Sequence, residues 1–210
     1  MLNNVSKDYI EFTRYDLINY IIDLYGYKSY LEIGCAYGGN FNKINITNKT
    51  SVDPHKHFNE LTHEMTSDEF FEINKNSFDI IFIDGLHLHE QVIKDIHNSL
   101  EILNSQGTIV MHDCLPNSET MQNRSYPKNG IWCGDVWKAF VHFRKYDNLT
   151  MFTINTDHGM GIVKKGNQEP FNSIEELTWK FYTENVSEMM IPHGCYEGLE
   201  KLKTLKSMNL

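Results

Sequence analysis

The chain has 210 residues, of which 40% are hydrophobic and 12% are aromatic, and its 19 basic and 28 acidic residues give a net charge of -9. This length and composition suit one globular domain rather than a disordered chain. The acidic balance, without any basic cluster, argues against nucleic acid or an anionic membrane as the main partner.

No segment shows a targeting or membrane-spanning pattern. The N-terminus lacks the basic start and apolar run of a signal peptide, and no apolar stretch approaches the length of about 18 residues that suggests a membrane span. The four cysteines form no CxxC pair, and free thiols in a reducing compartment are the default for such a set. We therefore expect a cytoplasmic protein without a membrane span.

Hydrophobic periodicity predicts a first helix over 7–27 that ends near Gly26. Short apolar runs then alternate with stretches that carry one apolar stripe, so strands should alternate with helices. The predicted strands are 29–34, 50–53, 77–84, 107–113 and a hairpin over 150–165. The further predicted helices are 88–103, 134–146 and a C-terminal set. Ser173 is predicted to cap that set, with Glu175 and Glu176 at its positive end.

This alternation predicts an α/β fold with a doubly wound, Rossmann-like, mostly parallel sheet. The single domain over 1–210 then comprises an N-terminal helix (1–28), a ligand-binding core (29–165) and C-terminal helices (170–210). Within the core, residues 114–134 form the longest irregular stretch. A loop of that length in a compact domain is typical of a lid or a binding loop.

The stretch LEIGCAYGGNF (31–41) follows a predicted strand and carries a glycine turn. Gly34 would allow the tight turn, and Gly38 and Gly39 would let a ligand approach the backbone. The spacing G-x-x-x-G-G does not fit the dinucleotide fingerprint GxGxxG, which argues against a nicotinamide-dependent dehydrogenase.

Two acidic residues accompany this turn. Glu32 precedes Gly34 by two positions, where a carboxylate suits a ligand that carries a positive charge. Asp53 ends the second predicted strand, the position that hydrogen-bonds a ribose hydroxyl pair in doubly wound folds.

The stretch 31–41 resembles motif I of the class I S-adenosylmethionine-dependent methyltransferases, and the order of the following strands extends the resemblance over about 29–113. It implies a seven-stranded sheet whose last two strands are the hairpin, and S-adenosyl-L-methionine as the cofactor. MTSDEFF (65–71) resembles the segment that closes over the adenine. The cofactor-binding residues implied are Glu32, Gly34, Cys35, Ala36, Gly38, Gly39, Asn40, Asp53, Ser67, Asp68 and Asp84.

Polar residues also end two neighbouring strands of the predicted sheet, Asp84 after one and the pair His112 and Asp113 after the next. Ligands of open parallel sheets bind at the carboxyl ends of the strands, so these three side chains should converge beside the reactive methyl group. Two carboxylates suit Mg²⁺, and the imidazole would also admit Mn²⁺ or Zn²⁺.

The motifs IDGLH and MHD resemble those of metal-dependent sugar and macrolide O-methyltransferases (methyltransferase domain 24) and of cephalosporin-hydroxylase-like proteins. This resemblance implies a metal at Asp84, His112 and Asp113 and a general base at His87. Asp84 and Asp113 would join His87 as catalytic residues. His112 is a departure, since that family carries an acidic residue at its position.

The resemblance implies a methyltransferase that acts on a hydroxyl of a small molecule or saccharide, with the loop 114–134 covering the acceptor. Tyr126 and Trp132 in this loop would suit a sugar or another ring. Two other classes stay open: a metal-dependent hydroxylase-like or hydrolytic enzyme on the same fold, and a non-catalytic subunit that binds S-adenosylmethionine. Amphipathic terminal helices would permit a homo-oligomer.

Several of these residues also have purely structural explanations. Asp84 would then cap the helix that follows it, and His112 would be a packed histidine bonded to a carbonyl group. Trp132 would anchor its loop to the core. Asp157 and His158, at the turn of the predicted hairpin, would either face the cleft or only turn the chain.

Overall fold

A computed structural model describes residues 12–172 and 176–210. Over this part of the chain the helices are α1 (Arg14–Tyr25), α2 (Ser67–Ile73), α3 (His89–Ile102), α4 (Val136–Phe143), α5 (Trp179–Met190) and α6 (Cys195–Ser207). The strands are β1 (Ser29–Ile33), β2 (Asn48–Asp53), β3 (His63–Glu64), β4 (Phe78–Ile83), β5 (Leu103–Met111), β6 (Leu149–Ile154), β7 (Met160–Lys165) and β8 (Pro192–His193). None of the described helices is long and apolar enough to cross a membrane.

The strands form one sheet in the order β3-β2-β1-β4-β5-β7-β6-β8. β7 runs antiparallel to both of its neighbours, while the remaining strand pairs are parallel. The doubly wound α/β fold and the antiparallel hairpin strand are therefore confirmed. The expected number of seven strands is wrong, because the described part of the sheet has eight. Both edge strands, β3 and β8, are only two residues long, too short to show an alternating pattern in the sequence.

The sheet buries apolar side chains on both faces, as expected for strands covered by helices. Alternation along β4 sends Ile81 and Ile83 to the face covered by α2, α3, α4 and α5. Ile80 and Phe82 pack on the other face, beneath α1 and α6. This two-sided burial explains why β4 appears in the sequence as a nearly continuous apolar run.

The direction of winding changes at β1, which lies between β2 and β4. β2 pairs with one side of β1 and β4 pairs with the other side, so the carboxyl end of β1 is a topological switch point. Since β1, β2, β4 and β5 are mutually parallel, their carboxyl ends all meet there. The ends of these four strands carry the polar residues that the sequence singled out.

Local signals set the helix boundaries. Thr13 caps α1 through a capping box with Asp16, and Gly26 ends the helix in the left-handed region, as predicted. α5 begins at Trp179 with Thr178 as its cap. The proposed cap Ser173, its neighbour Glu175 and the predicted helix start at residue 7 lie outside the described residues.

The turn after β1 requires a glycine at position 34, and a substitution there tests this requirement. Gly34 has a φ of +82°, and a Cβ atom there would overlap the backbone carbonyl of Asp84. Left-handed strain of about 1–2 kcal/mol and overpacking of about 1–3 kcal/mol should lower the free energy of unfolding of Gly34→Ala by roughly 2–5 kcal/mol. Urea denaturation followed by circular dichroism measures this change.

Gly39→Ala is the matched control, since a Cβ atom at Gly39 meets nothing within 4 Å. Its free energy of unfolding should stay within about 1 kcal/mol of that of the unmodified protein. Equal stabilities of the two variants would contradict the steric role assigned to Gly34.

Candidate active site

A cavity of about 750 Å³ opens at the carboxyl edge of the sheet. This size lies within the usual range for small-molecule sites, roughly 300–1,000 Å³. Its walls come from the glycine turn after β1, the ends of β4 and β5, the start of α1, the loop 114–134 and the turn between β6 and β7. Segments distant in the sequence thus contribute to one concave surface.

The glycine turn is held by Asp53 at the end of β2. Asp53 Oδ2 accepts hydrogen bonds from the backbone N–H groups of Cys35 (3.0 Å) and Ala36 (2.9 Å). Ala36 has a φ of +43°, which is uncommon for a residue other than glycine, and this pair of bonds stabilises that conformation. Asp53 itself lies behind the turn and does not line the cavity.

Glu32 is a buried carboxyl group in the wall of the cavity. The Tyr30 hydroxyl donates a hydrogen bond to its Oε2, and Asn40 Nδ2 donates another at 2.7 Å. Burial raises the pKa of Glu32 to about 7, although both hydrogen bonds favour the charged form. A cationic ligand group beside it would favour the carboxylate and offset the cost of its burial.

The three residues predicted to bind a metal are brought together at the ends of β4 and β5. One ligand atom from each of Asp84, His112 and Asp113 lies within 4.8 Å of the others. His112 Nδ1 is 3.2 Å from Asp84 Oδ1 and 3.0 Å from Asp113 Oδ2. His87 lies beside the cluster, its Nδ1 3.2 Å from Asp113 Oδ2 and its Nε2 3.4 Å from Asp84 Oδ1.

Two further residues complete this cluster. Arg14, the first residue of α1, donates from Nη1 to Asp84 Oδ2 at 2.6 Å. Its Nε and Nη2 donate to the two oxygens of Asp157 at 3.1 and 3.3 Å. Asp157 Oδ1 is in turn 3.2 Å from His112 Nε2. From the sequence, Asp157 would either face the cleft or only turn the chain. It does both, because it lines the cavity and has a φ of +43°. Nothing in the sequence pattern indicated Arg14.

Opposite charges determine the ionisation of this cluster. Burial opposes the charge on Asp84, but His112, His87 and Arg14 outweigh it and hold the pKa of Asp84 well below its ordinary value. The pKa of Asp157 is lowered in the same way by His112 and Arg14, against the effect of burial. Burial also opposes the charge on His112, yet the surrounding carboxylates, Asp84 foremost, raise its pKa. The cluster therefore favours a positive charge among its carboxylates.

His87 is positioned by the loop 114–134 and the residue that follows it. The ring of Trp132 stacks on the His87 ring with 4.5 Å between centroids and 10° between planes. A Cβ atom at Gly134 would overlap the His87 carbonyl oxygen, and the Asp135 N–H donates to that oxygen at 3.2 Å. Trp132 thus contacts a candidate catalytic side chain, beyond any role in anchoring the loop.

The structural explanations for two strand-end residues do not hold. α3 begins at His89 after Leu88, without a side-chain cap from its own N-cap residue. Asp135 instead accepts a hydrogen bond from the His89 N–H at 2.9 Å, so Asp84 does not cap this helix. The Nε2 atom of His112 contacts a carboxylate rather than a carbonyl group.

Besides Asp53, three residues predicted to bind the cofactor do not line the cavity. Ser67 and Asp68 begin α2 and accept hydrogen bonds from Gln91 Nε2 on α3, at 3.2 and 2.9 Å. Gly38 has a φ of +72° and packs against the Phe58 ring. The remaining predicted cofactor residues, Asp53 aside, line the cavity: Glu32, Gly34, Cys35, Ala36, Gly39, Asn40 and Asp84.

Residues 31–114 match the model of a family described as a methyltransferase domain. This range begins in β1 and includes the glycine turn and the ends of β2, β4 and β5. A comparison with curated proteins found no match.

Solved structures with a similar fold come from several bacteria. A Staphylococcus aureus protein provisionally named a caffeoyl-CoA O-methyltransferase has a TM-score of 0.58 at 20% identity, covering 75% of this chain and 85% of that one. An O-methyltransferase from Bacillus cereus in complex with SAH has a TM-score of 0.56 at 13% identity, covering 76% and 84%. The O-methyltransferase TomG from Streptomyces achromogenes, involved in tomaymycin synthesis and solved with SAM, has a TM-score of 0.56 at 12% identity, covering 78% and 84%.

At these identities the similarity to solved structures shows a shared fold. The segment that matches the family model contains the glycine turn and the strand ends that line the cavity. This chain therefore has a Rossmann-like fold with this strand order, and its residues 31–114 are similar to a methyltransferase domain.

Proposed function

We propose that the protein methylates a hydroxyl group of a small molecule or a saccharide, with the assistance of a divalent cation. The observation that carries this proposal is the convergence of Asp84, His112, Asp113 and His87 in the cavity that the glycine turn lines. It is supported by the names of the solved structures of similar fold, which include O-methyltransferases.

S-adenosylmethionine would lie against the glycine turn, where it supplies a methyl group on a positively charged sulfur. Glu32 and Asn40 are proposed to face its methionine part, since the carboxyl group of Glu32 is the acidic group in that wall of the cavity. Asp53 is proposed to stabilise the part of the turn that binds the ribose, because it accepts hydrogen bonds from the backbone N–H groups of Cys35 and Ala36. Ser67, Asp68 and Gly38 do not take part in this proposal.

The strand-end cluster fits a cation by the chemistry of its donors. Two carboxylates and an imidazole are common metal ligands, and His112 Nδ1 is buried without a hydrogen-bond partner. A cation held by Asp84, His112 and Asp113 would lower the pKa of the acceptor hydroxyl group and orient it. The residues around the cluster then have to bind the acceptor and accept its proton.

In the proposed reaction the acceptor oxygen forms a bond to the methyl carbon while the carbon–sulfur bond breaks, which leaves S-adenosylhomocysteine. The acceptor proton passes to His87, whose ring is held by Trp132. Base catalysis of this kind contributes roughly 10²–10⁴ in rate. Holding the two substrates in line contributes up to about 7–11 kcal/mol, so positioning by the cavity walls is the larger effect.

The cofactor site is tested by calorimetric titration with S-adenosylmethionine. Asp53→Ala removes the acceptor of two turn N–H groups, and charge-assisted hydrogen bonds of about 1.5–3 kcal/mol correspond to an affinity loss of roughly 10-fold or more. Asp68→Asn is the control, because Asp68 bonds to Gln91 and Lys94 on α3 rather than lining the cavity. Equal affinities of both variants and the unmodified protein would contradict a cofactor site at the turn.

The proposed base is tested by methyl transfer from labelled S-adenosylmethionine to a panel of phenols, polyols and saccharides. His87→Ala should lower kcat roughly 10²–10⁴-fold, while cofactor affinity stays unchanged because His87 lies beyond the glycine turn. His97→Ala, an exposed histidine on α3, should leave kcat unchanged. Transfer by His87→Ala at the unmodified rate would exclude His87 as the base, and cofactor binding without transfer to any acceptor would favour a non-catalytic subunit.

A further inference from the structure

His112 departs from the acidic residue of related motifs, and its surroundings indicate what it does. The residue is 4% exposed. Its Nε2 is 3.2 Å from Asp157 Oδ1, and a neighbouring carboxylate holds the ring proton on the nitrogen that faces it. The lone pair of a neutral His112 is therefore on Nδ1, the buried atom that has no hydrogen-bond partner.

His112 Nδ1 faces two carboxylate oxygens at short distance, Asp84 Oδ1 at 3.2 Å and Asp113 Oδ2 at 3.0 Å. Nδ1 has no hydrogen-bond partner, so its lone pair is free to bind a cation that the two carboxylates contact at the same time. Bonds of about 2.0–2.2 Å to a metal, at angles between octahedral and tetrahedral, place neighbouring ligand atoms roughly 2.8–3.6 Å apart. Both distances from His112 Nδ1 fall in this range.

The residues around the ligands fix their orientation. Arg14 Nη1 donates a hydrogen bond to Asp84 Oδ2 at 2.6 Å, which leaves Asp84 Oδ1 facing the cluster. Arg14 also bonds both oxygens of Asp157, and Asp157 bonds His112. One chain of contacts thus orients both a carboxylate and the imidazole. Carboxylate partners of metal-bound histidines act in this way, and their loss typically costs about 10–100-fold in metal affinity.

We propose that the cation at Asp84, His112 and Asp113 is a divalent transition ion that accepts nitrogen ligands, of the Fe²⁺, Co²⁺ or Zn²⁺ type, rather than Mg²⁺. Asp157 and Arg14 are positioning residues for this ion. Imidazole suits these metals, whereas Mg²⁺ prefers oxygen ligands in a near-ideal octahedron. This inference rests on the proposed function only in placing a cation at this cluster.

A second group of potential ligands consists of His89, Glu90 and Asp135, and both of its carboxylates are already paired with an arginine. Arg124 donates to Asp135 Oδ2 at 2.7 Å and to Glu90 Oε2 at 2.9 Å. No buried nitrogen without a partner is found there among the described residues. The first cluster has a buried nitrogen without a hydrogen-bond partner and the second one does not, so the second cluster provides a control.

The test is a calorimetric titration of the metal-stripped protein with Co²⁺ and with Mg²⁺, without S-adenosylmethionine. The unmodified protein should bind one Co²⁺ at least 100-fold more tightly than Mg²⁺. His112→Glu should weaken Co²⁺ at least 10-fold and strengthen Mg²⁺, and Asp157→Asn should weaken Co²⁺ by roughly 10–100-fold. Glu90→Gln should bind Co²⁺ like the unmodified protein.

Proton nuclear magnetic resonance of the Co²⁺ protein gives a second measurement. The exchangeable Nε2 proton of His112 should appear as a strongly shifted signal that is lost in His112→Glu and present in Glu90→Gln. Mg²⁺ bound as tightly as Co²⁺, or Co²⁺ affinity unchanged in both His112→Glu and Asp157→Asn, would overturn the proposal. Methyl transfer is measured separately: Co²⁺ binding as expected without any transfer would contradict the proposed function and leave the metal assignment in place.

Discussion

The close contact between Gly34 and the backbone of Asp84 connects the two halves of the candidate active site. Because no side chain fits between them, the turn that follows β1 and the end of β4 are held against each other. The glycine turn therefore cannot move independently of the carboxylate that belongs to the strand-end cluster. For the methyl transfer proposed above, this contact would set the distance between the cofactor at the turn and the cation at the cluster, on which in-line transfer depends.

The charges of the cluster explain why so many segments meet there. Asp84, Asp113 and Asp157 place three carboxylates in a small and mostly buried volume, which would be costly without compensation. Arg14 supplies one permanent positive charge from α1, and His112 supplies a nitrogen on the inner side. The N-terminal helix is thus part of the site electrostatically as well as a cover for one face of the sheet.

The sequence predicted the parts of the site that follow from strand patterns. Asp84, His112 and Asp113 each come directly after an apolar run, and parallel strands place their carboxyl ends at one edge, so their convergence was predictable. Arg14 was not, because its contact with Asp84 depends on how α1 docks on the sheet. Ser67 and Asp68 were assigned by resemblance alone, and the docking of α2 on α3 turns them towards Gln91. β3 and β8 were missed because two residues carry no periodicity.

The loop 114–134 has a consequence for how acceptor and base are related. Only glycine fits at position 134 against the His87 carbonyl, Trp132 stacks on the His87 ring, and Asp135 accepts a hydrogen bond from the first N–H of α3. The same segment therefore contacts the start of α3 and the proposed base. If the proposed roles hold, a change of loop sequence that admits another acceptor would also shift His87, and acceptor range would be coupled to proton transfer.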